Sequence, residues 1–266
     1  MPDRITCSIE GGVADVRLNR AEKMNALDPA MFEALVETGE SLKADPSVRA
    51  VVLSGEGRAF CAGLDFDSFK AMADPEARAR RIDLSNKGGR ITTFAQQAVY
   101  VWTEMPAPVI AAVHGVALGG GFQVALGADI RIVAPDAQLA VLEVRWGLVP
   151  DMTGTQLLTR LVGLDVAKEL TFTGRMISGE EAVKLGIATR VSQKPREDAL
   201  ALAREIASKN PHAVRGAKKL LSMAGLVPLG EGFDAEIRIQ REIIGTPNQT
   251  EAVRAYFEKR TPRFED

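Results

Sequence analysis

Two stretches of this sequence constrain its fold more than any others: Ala59-Phe60-Cys61-Ala62-Gly63-Leu64-Asp65 and His114-Gly115-Val116-Ala117-Leu118-Gly119-Gly120-Gly121-Phe122-Gln123. Each reads as a strand that breaks into glycine and restarts as a helix. The first N–H groups of a helix have no intrahelical acceptor, and the helix dipole adds partial positive charge at the same end. Two such ends facing one another make a two-donor hole, suited to an oxygen that becomes negative during a reaction. A glycine run also lets a ligand approach the main chain closely. Three glycines at a helix start cost backbone entropy that packing a helix on a strand does not demand.

The surrounding pattern is α/β. Ile5, Cys7 and Ile9 alternate with polar residues, Gly11-Gly12 supplies a turn, and Val13 to Leu18 returns as the second arm of a hairpin. Asp28-Pro29 starts a helix as N-cap and first-turn proline, with Phe32, Leu35, Val36, Gly39 and Leu42 on one face. Val48 to Ser54, Val109 to Val113 and Asp129 to Ala134 read as buried strands, with Gln138 to Val144 and Ile187 to Val191 as shorter ones. Strands alternating with helices predict a parallel-rich sheet. From about residue 195 the chain becomes four helical segments separated by Gly and Pro. The expected division is therefore a core over 1–195 that carries the site and a helical region over 196–266. Met72 to Gln97, with its Arg78-Ala79-Arg80-Arg81 run, reads either as a solvated amphipathic helix with a loop or as a flexible wall of a pocket. An RNA-binding patch lacks the aromatic platform it would need there.

Composition excludes several function classes. A formal net charge of −2 gives no general attraction to nucleic acid or anionic lipid. The two cysteines, Cys7 and Cys61, make no disulfide framework and suit a reducing compartment. The polar start lacks a signal-peptide pattern and no apolar run is long enough to span a bilayer, so a cytoplasmic protein is expected. No Gly-x-Ser-x-Gly elbow, metal-ligand spacing or dinucleotide fingerprint is present. No metal and no resident cofactor are expected.

The two junctions also carry a resemblance, together with Asn19-Arg20, Asn25-Ala26-Leu27, Pro108 to Gly121, Gly154-Thr155-Gln156, Leu158-Thr159-Arg160, Thr173-Gly174 and Phe257-Glu258-Lys259-Arg260. Over nearly its whole length the chain resembles the crotonase superfamily, which contains enoyl-CoA hydratases and isomerases. The resemblance implies a spiral of β-β-α units with a helical C-terminal subdomain, an acyl-CoA thioester as substrate, and assembly into homotrimers or hexamers. It places the oxyanion donors on the N–H groups of Leu64 and Gly120. It assigns CoA contacts to Lys23, Asn25, Ala26, Leu27, Ala62, Leu64, Asp65 and Phe66, and at the C-terminus to Phe257 and Arg260, with Lys259 beside it.

The acid/base residues separate the members of such a family. Hydratases hold water between two glutamates; the position of the first is Gln123 here, and the second matches Glu143. Gln123 cannot accept a proton as a carboxylate does, although it can orient a water. Asp151 stands eight residues after Glu143, where dienoyl-CoA isomerases carry an aspartate. A Glu143–Asp151 pair can take a proton at one carbon and return it at another. Asp151 reads equally well as a turn or capping residue before Gly154. The favoured expectation is a double-bond isomerase. A 2-enoyl-CoA hydratase using Glu143 with Gln123 is the alternative, and a non-catalytic acyl-CoA binder is the alternative of another class.

Overall fold

The computed structural model describes residues 4–74, 76 and 87–266. Strands β1 (Ile5–Glu10) and β2 (Val13–Leu18) form the hairpin, with Ile5 opposite Leu18. Parallel strands β3 (Ala50–Gly55) and β4 (Val109–Val113) follow. A second sheet holds β5 (Val116–Leu118), β7 (Gln138–Ala140) and β8 (Ile177–Ser178). The first sheet is completed by β6 (Ile130–Val133) and β9 (Arg190–Val191), in the order β1-β2-β3-β4-β6-β9.

Every residue of β3 and β4 is buried, as strands covered on both faces must be. Helix α1 (Pro29–Ala44) starts where Asp28 accepts from Met31 N–H and Pro29 occupies the first turn. It packs on α3 (Phe94–Thr103) over one face of the sheet, burying Leu35, Val36, Val99 and Trp102. Between them in sequence lies α2 (Phe66–Ala73).

The expected spiral is visible as a repeat: one strand in the large sheet, one short segment in the small sheet, then a helix. β4 and β5 lead to α4 (Gly120–Leu126), and β6 and β7 lead toward α5 (Gly154–Leu158) and α6 (Leu164–Thr173). After β3 the same path passes through Cys61, which bridges Ala117, and Leu64, which bridges Leu27, before entering α2. These bridges bring the two glycine junctions side by side.

Two expectations change. Strand pairing after Gln138 stops at Ala140, and Glu143–Trp146 is a 3₁₀ turn closed by Gly147 in the left-handed region (φ 67°). Glu143 therefore projects from a turn rather than a strand. The boundary near 195 cuts off a helix that the core uses. After α7 (Gly179–Lys184), helix α8 (Pro195–Ala207) lays Ala199, Ala203 and Ala207 on Val13, Val52, Ile110 and Ile132, covering the sheet's second face. Small residues every fourth position let it lie close. The change in character comes with α9 (Pro211–Met223), α10 (Leu229–Ile243) and α11 (Pro247–Phe257), which leave Leu221, Phe233, Ile237, Ile244, Tyr256 and Phe257 exposed. Ile239 of α10 is buried, against Gly216. The Arg78–Arg81 run lies outside the described residues. Among the described residues, no helix is long and apolar enough to cross a membrane.

Candidate active site

The first junction is tied on both sides by main-chain hydrogen bonds. Cys61 N–H donates to Val116 O and Leu118 N–H to Cys61 O. On the other side Leu27 N–H donates to Gly63 O and Asp65 N–H to Leu27 O. These bonds use the amides flanking Leu64 and leave its own N–H with no acceptor among the described residues. Gly120 is the first residue of α4, so its N–H has no intrahelical acceptor either. Gly63 (φ 90°) makes the close approach possible: a Cβ there would lie 2.5 Å from Leu118 O and 3.8 Å from Gly120 N. Gly119 turns into the helix at φ 51° and ψ −120°, a conformation only glycine adopts without strain. Two unpartnered donors thus stand on adjoining segments.

The acid side faces the same helix start. A Cβ on Gly119 would lie 3.5 Å from Glu143 Oε1, which places this carboxyl against the head of α4. Gln123, one turn into α4, donates from Nε2 to Glu143 Oε1 at 2.6 Å. Its Oε1 accepts from Met152 N–H and Gly154 N–H, both at 2.9 Å. These bonds fix which way the amide points. They leave Gln123 as a clamp joining Glu143 to the turn before α5, with no lone pair aimed at a water. Glu143 Oε2 is buried and has no hydrogen-bond partner among the described residues. Burial pushes the Glu143 carboxyl above the usual range, the charge of Asp151 adds to the rise, and the Gln123 bond opposes it.

Asp151 keeps surface exposed, yet its carboxyl is crowded enough that desolvation raises its pKa as well. The capping role open to it is not taken. Thr153 is the N-cap of α5, at φ 72°, without a side-chain cap bond, and its Oγ1 is buried and unpartnered. Asp151 is close enough for its charge to act on Glu143. Helix α5 begins tightly against the clamp: a Cβ on Gly154 would lie 2.7 Å from the Gln123 side chain.

The residues expected to meet CoA divide into two groups. Lys23 is exposed, and Asn25, Ala26 and Leu27 are buried beside the Ala62–Phe66 segment through Ala62 N–H to Met24 O and the Leu27–Leu64 bridge. The side chains of Asn25 and Asp65 are held by other parts of the protein, which leaves their main chain as the part that can meet a ligand. Asn25, at φ 56°, accepts from Arg20 N–H and donates to Glu56 O and Ala59 O. Asp65 caps α2 through Asp67 N–H and pairs with Arg20 at 2.6 Å. Burial pushes the Asp65 carboxyl up, but the Asp67 amide and Arg20 outweigh it and hold its pKa below the ordinary value. Both residues shape the segment that carries Leu64.

Arg260 is ion-paired. Its guanidinium is held by Glu251 at 2.6 Å and by Glu258 at 2.6 Å, so it is not a free cation. Phe257 is exposed beside Tyr256 at the end of α11. Cys61 donates its Sγ–H to Asn25 O, and burial pushes the thiol up to about 12, which makes it a packing residue. His114 meets Gly57 O. Among the described residues, no three His, Cys, Asp or Glu side chains gather as a metal ion requires.

Sequence reasoning missed an aromatic group beside the site. Phe69 lies 4.8 Å from Trp146 between ring centroids, and Phe66 lies 5.7 Å from it. The Phe66-x-x-Phe69 spacing, one helical turn, was the available signal. It also missed Arg20 as the partner of Asp65.

The whole arrangement has close counterparts. A structure of enoyl-CoA hydratase from Bacillus anthracis superposes with a TM-score of 0.85 at 34% identity, covering 98% of each chain. Human enoyl-CoA hydratase domain-containing protein 2, a mitochondrial protein, is 36% identical over 260 residues, covering 95% of this chain and 85% of its own. Human mitochondrial methylglutaconyl-CoA hydratase is 32% identical over 260 residues, covering 95% of this chain and 74% of its own. The model of the enoyl-CoA hydratase/isomerase family matches residues 8–266, a span that takes in both glycine junctions, Gln123, Glu143 and Asp151: the chain belongs to that family.

Proposed function

We propose that this chain is an acyl-CoA enzyme that stabilises a thioester enolate and moves protons on the acyl carbons. The observation that carries this reading is the meeting of two unpartnered N–H groups, from Leu64 and Gly120, with a buried carboxyl whose Oε2 is also unpartnered. The thioester carbonyl oxygen takes the two N–H donors. Glu143 Oε2 removes a proton from an acyl carbon, and the electron pair moves onto the carbonyl oxygen as the enolate forms. When the carbonyl re-forms, a proton is delivered at a different carbon. In this reading Asp151 delivers it, and burial, which raises its pKa above the ordinary value, favours the protonated form. The net reaction is a double-bond shift, with no atom gained or lost.

A second reading has a specific observation in its favour: the relatives named above carry hydratase names. In that reading Glu143 takes the proton of a water that adds to the 2-enoyl double bond. Gln123 then acts through Glu143 rather than by holding the water. The proposed assembly is a trimer or hexamer, supported by the bare apolar residues of α9 to α11. A sedimentation mass of one 28.6 kDa chain at micromolar concentration would overturn it.

Ultraviolet absorbance of thioesters incubated with the protein separates the readings. A 2,5-dienoyl-CoA that gains a conjugated-diene band marks an isomerase. A 2-enoyl-CoA that loses its conjugated band marks a hydratase. No change in either, with no exchange of acyl protons for solvent deuterium, overturns both. Gln123→Glu adds a second carboxyl within hydrogen-bond reach of Glu143, so the two must share a proton. It is expected to raise hydration relative to isomerisation.

A further inference from the structure

Building on that reading, we propose that Phe66, Phe69 and Trp146 form the acyl-binding wall, and that the preferred acyl group ends in an aromatic ring. Local geometry places the wall. Phe66 and Phe69 sit one turn apart on the helix that follows Leu64. Trp146 ends the 3₁₀ turn that Glu143 begins, and in a 3₁₀ helix residues three apart eclipse, so Trp146 shares the face of Glu143. An acyl group whose carbonyl oxygen rests on Leu64 N–H and whose reacting carbons face Glu143 has its far end directed toward these rings.

Exposure supports a ligand role. Trp102, the other tryptophan, is 0% exposed, whereas Trp146 is 48% and Phe66 66% exposed. The three rings meet in tilted and edge-on pairs, with Phe66 at 77° to Trp146 and Phe69 at 30° to it. Rings arranged so leave a face and edges available to a further ring, the geometry that aromatic pairs prefer. A flat aryl end group satisfies that surface, whereas a saturated ring of equal bulk offers no quadrupole to match it.

The adenine of CoA is the other aromatic source. It is a less suitable occupant because the wall includes the residue that shares a face with Glu143, where the acyl end lies.

The test is a pair of unreactive thioethers, 3-phenylpropyl-CoA and 3-cyclohexylpropyl-CoA, with binding measured by calorimetry and by Trp146 emission. Phenyl is expected to bind roughly tenfold tighter than cyclohexyl. In Trp146→Leu the ratio is expected to fall to near one, while Trp146→Phe keeps most of it; melting curves check that both variants fold. A wild-type ratio near one, or a full ratio in Trp146→Leu, overturns the proposal. The same pair on N-acetylcysteamine in place of CoA must keep the phenyl preference. If aromatic contact is lost with the nucleotide, the rings belong to adenine and the proposal fails. Because these ligands do not react, the result stands whether or not the absorbance assays detect turnover.

Discussion

The two sides of the site are built on different physical terms. The Leu64–Gly120 side is main chain: its donors are amides, its geometry comes from bridges at Leu27 and Ala117, and its tolerances are set by glycines. The Gln123–Glu143–Asp151 side is side chain: its geometry comes from three hydrogen bonds to one amide, and its charge state moves with pH. A main-chain donor cannot be titrated and fails only when the backbone is forced aside. A buried carboxyl fails by a single-atom exchange that leaves its shape intact. One side supplies a fixed field and the other a movable proton.

The largest expected effect tests the movable proton. Glu143→Gln keeps shape and the bond from Gln123, but a general acid/base group is worth about 10²–10⁴ in rate. The loss should fall on kcat, with binding of a thioether analogue nearly unchanged. Retained turnover would remove Glu143 from the chemistry.

Next comes the fixed field. A Cβ at residue 120 would lie 2.8 Å from Leu27 Cδ1 and 3.1 Å from Met152 Sδ, so Gly120→Val crowds the donor and blocks close approach of a ligand to its N–H. One lost oxyanion donor costs roughly 10²–10³ in turnover. Unlike the Glu143 variant, this loss should not vary with pH. Near-normal turnover in a folded variant would move the donor elsewhere.

A smaller effect tests the clamp that joins the two sides. Gln123→Leu strands Met152 N–H, Gly154 N–H and Glu143 Oε1 in a buried place, and each unsatisfied group costs about 1–3 kcal/mol. A Tm drop of several degrees is expected, since about 1 kcal/mol moves a chain of this size by roughly 2–4 °C. No drop would mean that the turn at 151–154 holds without Gln123.

The smallest effect concerns stability against pH. The Glu143 pKa is raised in the folded state, so between its ordinary value of 4.5 and the raised value the native state binds more protons than the unfolded one. Stability then falls as pH rises through that window. Glu143→Gln removes this contribution, so its Tm should match wild type at low pH and exceed it above the window. Parallel melting curves would refute the shift.

Much of the main-chain side was legible in the sequence because glycine has few other reasons to cluster where a strand meets a helix. Gly63 and Gly119 sit at positive φ, as such junctions demand. The side-chain side was only half legible. Glu143 and Asp151 could be picked out as residues, but the orientation of Gln123 depends on the Met152 and Gly154 amides about thirty residues away, and no spacing encodes that. The side-chain bonds of Asp65 and Asn25 were not legible for a related reason: a polar residue beside a binding segment can hold the segment itself. The pairing of Arg260 was not legible because Glu251, nine residues earlier, returns to meet it across the last helix turn. The boundary at 195 misled because a helix looks alike in sequence whether it covers a sheet or another helix; only the alanines at 199, 203 and 207 distinguish α8.

That helix has a consequence for the nascent chain. Its alanines cover apolar residues of β2, β3, β4 and β6, so the strands leave the ribosome long before their cover does. At roughly 5–20 residues per second, about 10–40 s pass between synthesis of Val13 and of Ala207. The sheet itself closes only when Arg190 and Val191 join β6. During translation one face of a parallel sheet stays open to other chains, so a holdase that binds apolar strands should determine the yield of this protein more than the stability of its finished fold does.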